Sequence, residues 1–215
     1  MGLLRFSYRS EILSLHTNIT VTLPSEELTY YPLTDIKREE GVAARRKWEY
    51  RDGMKFQTVY LLHGGGDDDT CVVRKSNIER YAEENCVMTV TAQANDSFFM
   101  DTQYGYKYFT FLTEELPKVI QTMFPSSPKR EDNFVAMGGN GSLALGLKRQ
   151  DLYAACVDLS GGIGCSVDTD AFIDEVRTLK MERLQSTFGN PDKLRDGQYD
   201  LGGYARRAVE NGTKL

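Results

Sequence analysis

The chain has 215 residues, of which 40% are hydrophobic, 11% aromatic and 27% charged. That length suits one domain, and the composition supports a real core, which excludes a disordered or low-complexity chain. A formal net charge of −5 disfavours nucleic acid and anionic membranes as partners, since both need a basic surface. His16 and His63 are the only histidines, so any mechanism that needs a histidine late in the chain is excluded.

The four cysteines, Cys71, Cys86, Cys156 and Cys165, contain no C-x-x-C pair and read as reduced thiols. Neither a metal nor another cofactor is expected. The N-terminal segment carries Arg5, Arg9 and Glu11, and no apolar run approaches the length of a membrane span, so a cytoplasmic location is expected. The N-x-[ST] sequons at Asn18, Asn95, Asn140 and Asn211 are then coincidental.

In chain order, LLRFSY and TNITVTL read as two antiparallel β segments, followed by a polar surface excursion from Lys37 to Arg51. QTVYLLHG, residues 57–64, is a continuous apolar run ended by glycines, the pattern of a strand buried on both faces. SNIERYAEEN predicts a helix with Ile78 and Tyr81 on its apolar side and a capping box at Ser76 and Glu79. CVMTVTA, residues 86–92, predicts the next strand. Residues 108–124 predict a long amphipathic helix, kinked where Pro117 lacks an N–H donor. NFVAM is a third buried strand, GSLALGLKR a short helix and YAACVDLSGG a fourth strand. From Asp168 the pattern is helical and polar. The alternation predicts one α/β domain over residues 1–215, with a helical, cap-like region over 163–211.

Two segments carry chemistry. LLHGGG places Gly64, Gly65 and Gly66 directly after a buried strand, either as a plain turn or as a loop whose N–H groups approach a ligand. Asp67, Asp68 and Asp69 follow and read as solvated charge rather than a metal site. FVAMGGNGSLALG, residues 134–146, is a strand, a glycine turn and a helix start, open to two readings. One is a nucleophile elbow. The other is a dinucleotide fingerprint at Gly139, Gly141 and Ala144, with Asp158 as ribose acceptor. The letters fit the second better, but such a fingerprint normally opens its domain.

YLLHG, SNIERYAEE, DSFFMDTQYG, YFTFLTEELPKVIQTMFP, KREDNFVA and MGGNGSLALGLKRQDLYAACVDLSGG together resemble, in order and spacing, the tributyrin esterase and acetyl-esterase-like family of α/β-hydrolases, related to S-formylglutathione hydrolase. The resemblance implies an α/β-hydrolase fold, with a mostly parallel sheet flanked by helices and antiparallel N-terminal strands. It also implies serine-dependent hydrolysis of short-chain acyl esters, a small-molecule ester as partner, and no metal or dinucleotide. It places oxyanion donors at the backbone N–H groups of Gly65 and Met137, with His63, Gly64 and Gly66 shaping that loop. Phe98, Phe99 and Tyr104 are implied as walls of the substrate pocket.

The departures from the family pattern are equally specific. The family's G-x-S would stand between Ala136 and Met137, which are adjacent here, so no catalytic residue can be assigned. The register GGNGS, residues 138–142, puts Asn140 at the attacking position, and an amide cannot form an acyl-enzyme. Ser142 and Ser160 read as cap and turn residues. The family's acid and histidine would follow Leu215, which makes the sheet C-terminally incomplete and predicts an unpaired edge able to join a second copy of the chain. The competing expectation is a catalytically inactive protein, binding ligands on the same fold.

Overall fold

The computed structural model describes residues 1–25, 51–161, 168–179, 182–195 and 197–212. The excursion read over Lys37 to Arg51, Arg51 excepted, lies outside the described residues, as do Gly162 and Cys165.

The described strands form one sheet in the order β1-β2-β4-β3-β5-β6. β1 (Gly2–Arg9) and β2 (His16–Leu23) make an antiparallel pair, with Gly2 opposite Leu23 and Arg9 opposite His16. β2 pairs antiparallel with β4 (Met88–Ala92). β3 (Thr58–Leu62) lies parallel between β4 and β5 (Asn133–Met137), and β5 is parallel to β6 (Ala155–Val157). This is the expected arrangement, a mostly parallel sheet with antiparallel N-terminal strands. All five residues of β4 are buried, as the β-branched, apolar run MTVTA requires of a strand covered on both faces. β6 is shorter than predicted and stands at the sheet's edge, where Val157 is 50% exposed.

The helices are α1 (Cys71–Lys75), α2 (Ile78–Asn85), α3 (Tyr108–Thr110), α4 (Leu116–Met123), α5 (Asn140–Lys148), α6 (Thr169–Leu179), α7 (Glu182–Phe188) and α8 (Leu201–Glu210). One apolar cluster joins residues as distant as Leu13, Val90, Phe111, Leu145, Phe188 and Leu201. Two local expectations fail at α2. Asn77 stands at the N-cap, and Ser76 Oγ donates to Val72 O and accepts from Ile78 N, so the Ser76–Glu79 capping box does not form. Tyr81 is 53% exposed, and Ala82 is the residue that α2 buries.

The expected kink at Pro117 takes a more definite form. A π-helical turn, Phe111–Glu115, lies between α3 and α4, and Pro117 falls in the first turn of α4, where a missing N–H costs nothing. Glu115, the last residue of the widened turn, accepts from Ser10 Oγ at 2.9 Å and from the N–H groups of Glu11 and Ile12 at 3.2 and 2.9 Å. The long helix thereby ties down the β1–β2 connection.

Asp69 makes the corresponding tie on the other side of the glycine loop. Its side chain is 0% exposed, and it accepts Arg5 Nε and Nη2 at 2.8 and 2.9 Å and Thr20 Oγ1 at 2.7 Å. Removing one partner of such a pair strands a buried charge. Arg5 itself is half-exposed and Thr20 still donates to Asp69, so Arg5→Ala is expected to lower unfolding stability by about 1–2 kcal/mol, read as a reduced urea midpoint. Arg5→Lys, which cannot make the paired contact, should fall between the variant and the native chain.

Candidate functional site

A cavity of about 460 Å³ opens where the loops after β3, β4, β5 and β6 converge. In parallel sheets ligands bind in this place, at the carboxyl ends of the strands. The loop after β3 contributes His63, Gly64 and Gly65, that after β4 Asn95, Asp96, Phe98 and Phe99, and the β5–α5 turn Met137 to Asn140. Leu159, Ser160 and Gly161 follow β6, and α6 and α7 close the remaining side with Phe172, Glu175, Val176 and Leu184.

Of the residues singled out in the sequence, His63, Gly64, Gly65, Met137, Phe98 and Phe99 all line the cavity. Gly66 and Tyr104 do not. The Gly66 N–H donates to Asp96 Oδ1 at 2.7 Å, and Tyr104 is 77% exposed, its N–H bonded to Ser186 O. Sequence reasoning missed Phe172, Glu175, Val176 and Leu184. The spacing of Phe172, Glu175 and Val176 at i, i+3 and i+4 of one helix was the available signal for a shared face.

His63 is 1% exposed and both ring nitrogens are used. The Ala94 N–H donates to Nε2 at 3.0 Å, which leaves Nδ1 as the N–H that donates to Gly64 O at 2.8 Å. The ring thus ties the end of β3 to the segment after β4 and shapes the glycine loop. Cys71 lies behind the same loop, where burial pushes its thiol pKa up, away from the reactive range. Each of the three aspartates of the loop is partnered, and Asp67 and Asp68 share Arg74. Asp67 pairs with Lys75 and Arg74, and Asp68 accepts from Thr70 and Arg74. The Thr70 hydroxyl bond is the main cause that holds Asp68 down at about 2. Asp69 is the buried partner of Arg5, so for this residue the solvated reading is corrected. Among the described residues no cluster of three metal-ligating side chains occurs.

The turn after β5 carries the decisive geometry. β5 runs unbroken from Asn133 to Met137, with Ala136 opposite Leu61 and Met137 opposite Leu62, so no segment intervenes between Ala136 and Met137. Met137, Gly138 and Gly139 then all have positive φ, 64°, 66° and 55°. Gly139, with ψ −123°, is the N-cap of α5, and Asn140 is already the first helical residue. The apex of the strand-to-helix turn is therefore Gly139, which corrects the register that put Asn140 there. Ser142 is buried in the first turn of α5 and its Oγ donates back to Gly139 O, so it does not cap the helix as expected; Gly139 is the N-cap. Ser160, with φ 63°, is the serine among the described lining residues.

Backbone strain gathers around this cavity. Of the seven described non-glycine residues with positive φ, five line it: Asn95, Phe98, Phe99, Met137 and Ser160. Each costs about 1–3 kcal/mol and persists only where its surroundings impose it. At Phe99 the imposing contacts are visible. Ser97 Oγ accepts the Phe99 N–H, and the ring packs 5.1 Å from His63.

A Cβ on Gly141 would fall 2.3 Å from Phe99 Cδ2 and 2.8 Å from Leu62 Cδ1, whereas one on Gly64 would meet nothing within 4 Å. Gly141→Ala is thus expected to destabilise by about 1–3 kcal/mol through overpacking, despite the helix-propensity gain. Gly64→Ala should stay within about 0.5 kcal/mol. Urea unfolding of the two variants checks the contrast.

Residues 35–198 match the esterase family, described as "Putative esterase". The acetyl esterase of Caldicellulosiruptor saccharolyticus is 25% identical over 167 residues, covering 76% of this chain and 57% of that protein, so the chain spans little more than half the relative's length. The substrate-bound structure of FphF, a fluorophosphonate-binding serine hydrolase of Staphylococcus aureus, superimposes with a TM-score of 0.76 at 24% identity, covering all of this chain and 76% of that one. S-formylglutathione hydrolase (FrmB) of Staphylococcus aureus, as apoenzyme, gives 0.73 at 24% identity with the same coverage. Among the described residues no helix is long and apolar enough to cross a membrane. The fold is that of the α/β-hydrolases, and the chain belongs to the esterase family.

Proposed function

We propose that the cavity is the ester site of a carboxylic-ester hydrolase acting on short-chain acyl esters. The observation that carries this reading is the convergence of the glycine loop after β3 and the turn after β5 on one cavity of about 460 Å³, in a chain of the esterase family. The acetyl esterase relative supports a small acyl group. The Gly65 N–H has no hydrogen-bond acceptor among the described residues, so it is available to a carbonyl oxygen. Donors fixed in advance at that position stabilise the charge that develops on the oxygen during acyl transfer. We place Met137 as the second donor, by resemblance, with Phe98 and Phe99 along the acyl group and α6 and α7 as its cover.

A second reading, a ligand-binding protein without turnover, rests on two specific observations. Glycine occupies the apex of the elbow, and both nitrogens of His63 are engaged. Without an attacking group and base, an oxyanion hole and binding alone retain only roughly 10³–10⁴-fold acceleration over water.

The two readings separate with p-nitrophenyl acetate, butyrate and octanoate together with a fluorophosphonate label. The ester-hydrolase reading expects saturable turnover of the acetate and butyrate, weaker turnover of the octanoate, and covalent labelling. Saturable binding without turnover or label supports the second reading, and absence of both binding and turnover overturns both.

A further inference from the structure

Charge in the cavity is one-sided. Of its described lining residues, Asp96 and Glu175 are the two with a formal charge, and both are carboxylates on different walls. Asp96 uses one oxygen on the Gly66 N–H. Glu175 has no hydrogen-bond or ion-pair partner among the described residues. A third carboxylate stands just behind the wall. Asp158 does not line the cavity but lies against Gly161, where a Cβ would come within 2.2 Å of its Oδ2, and both of its oxygens are buried without a hydrogen-bond partner among the described residues. Buried polar groups in native proteins are normally satisfied, so an orphaned carboxylate marks a place where something positive or proton-donating belongs. Phe98, Phe99 and Phe172 complete the apolar lining. Aromatic rings attract a cation through their quadrupole, most strongly where water is excluded.

We infer that the ester taken by this cavity carries a positive charge, a quaternary or protonated amine, on its acyl or alcohol part. The inference rests on the ester-site reading and extends it. Asp96 stands beside the glycine loop, where its Oδ1 holds the Gly66 N–H, and Glu175 stands on the α6 wall. With its carbonyl oxygen at the Gly65 N–H, such a ligand offers its ammonium group to Glu175 and the phenyl rings. A ligand with a free carboxylate would instead face like charge with no cation among the described lining residues to offset it.

The test compares acetylcholine with its uncharged isostere, in which a quaternary carbon replaces the nitrogen, by calorimetric titration at low ionic strength, or as KM where turnover occurs. Acetylcholine is expected to bind about ten-fold more tightly, with a preference that shrinks in high salt. Glu175→Gln should reduce the preference several-fold without changing the melting temperature, whereas Glu210→Gln, which removes the same charge from the far end of α8, should leave it intact. Equal or tighter binding of the isostere, or an unchanged preference in Glu175→Gln, overturns the inference while leaving the ester site standing. If neither compound binds, the ester-site reading fails and takes the inference with it.

Discussion

The turn from β5 into α5 has room for backbone and nothing else, and the rest of the site is arranged around that. A Cβ on Gly138 would sit 2.3 Å from the Leu62 Cβ, and one on Gly139 would sit 3.0 Å from the Gly161 Cα. These glycines let the chain leave a fully paired strand and start a helix within two residues, with φ values that other residues adopt only under strain. The same absence of side chains brings three β–α connections, after β3, β5 and β6, to one point. The cavity is the space that remains between them.

That geometry keeps the shape of the cavity in an esterase-family chain whose strand-to-helix turn has glycine at its apex. An elbow normally holds a nucleophile in a strained conformation, with the strain imposed by packing on both sides. Here the packing and the strained φ persist at Met137, and the apex is glycine. The supporting parts do not depend on the missing group. His63 is held by backbone atoms at both nitrogens, and Phe99 is held by Ser97 and by the His63 ring. A cavity built this way keeps its shape whatever stands at the apex of the turn.

The fold was legible where local pattern and tertiary environment agree. The buried strands β3 and β4 announce themselves as apolar runs ended by glycine or by a polar residue, whereas β5, read as equally buried, has Phe134, Ala136 and Met137 only partly covered; the antiparallel β1–β2 pair follows from two β-rich segments in succession. The site was half legible. Gly64, Gly65, Met137, Phe98 and Phe99 follow from the glycine loops and from family resemblance, because these positions are dictated by backbone approach. Glu175 and Leu184 were not legible, since they reach the cavity only through the docking of α6 and α7. That docking depends on Phe188, whose ring packs 5.1 Å from Phe98, 4.9 Å from Phe172 and 5.1 Å from Tyr199. No single-sequence period reports a contact between residues so far apart. The Ser76 capping box failed because a helix end takes whichever hydrogen bonds its neighbours leave available, and Tyr81 because the packing of so short a helix selects Ala82 as its buried residue.

The net charge of −5 acquires a location from the structure. Most of the carboxylates near the core have assigned work. Asp69 holds Arg5 and Thr20, Glu115 holds the β1–β2 connection, and Asp101 accepts the Thr110 N–H and hydroxyl. Asp200 caps α8 through the Gly203 N–H and accepts the Thr169 hydroxyl. These groups stabilise the fold because each replaces its lost hydration with donors. Glu175 does not follow that pattern, and it lines the cavity. An acidic surface would read as solubility alone. An acidic cavity whose neighbouring carboxylates are otherwise fully engaged reads as selection among ligands, and it ties the charge of this chain to what the site will admit.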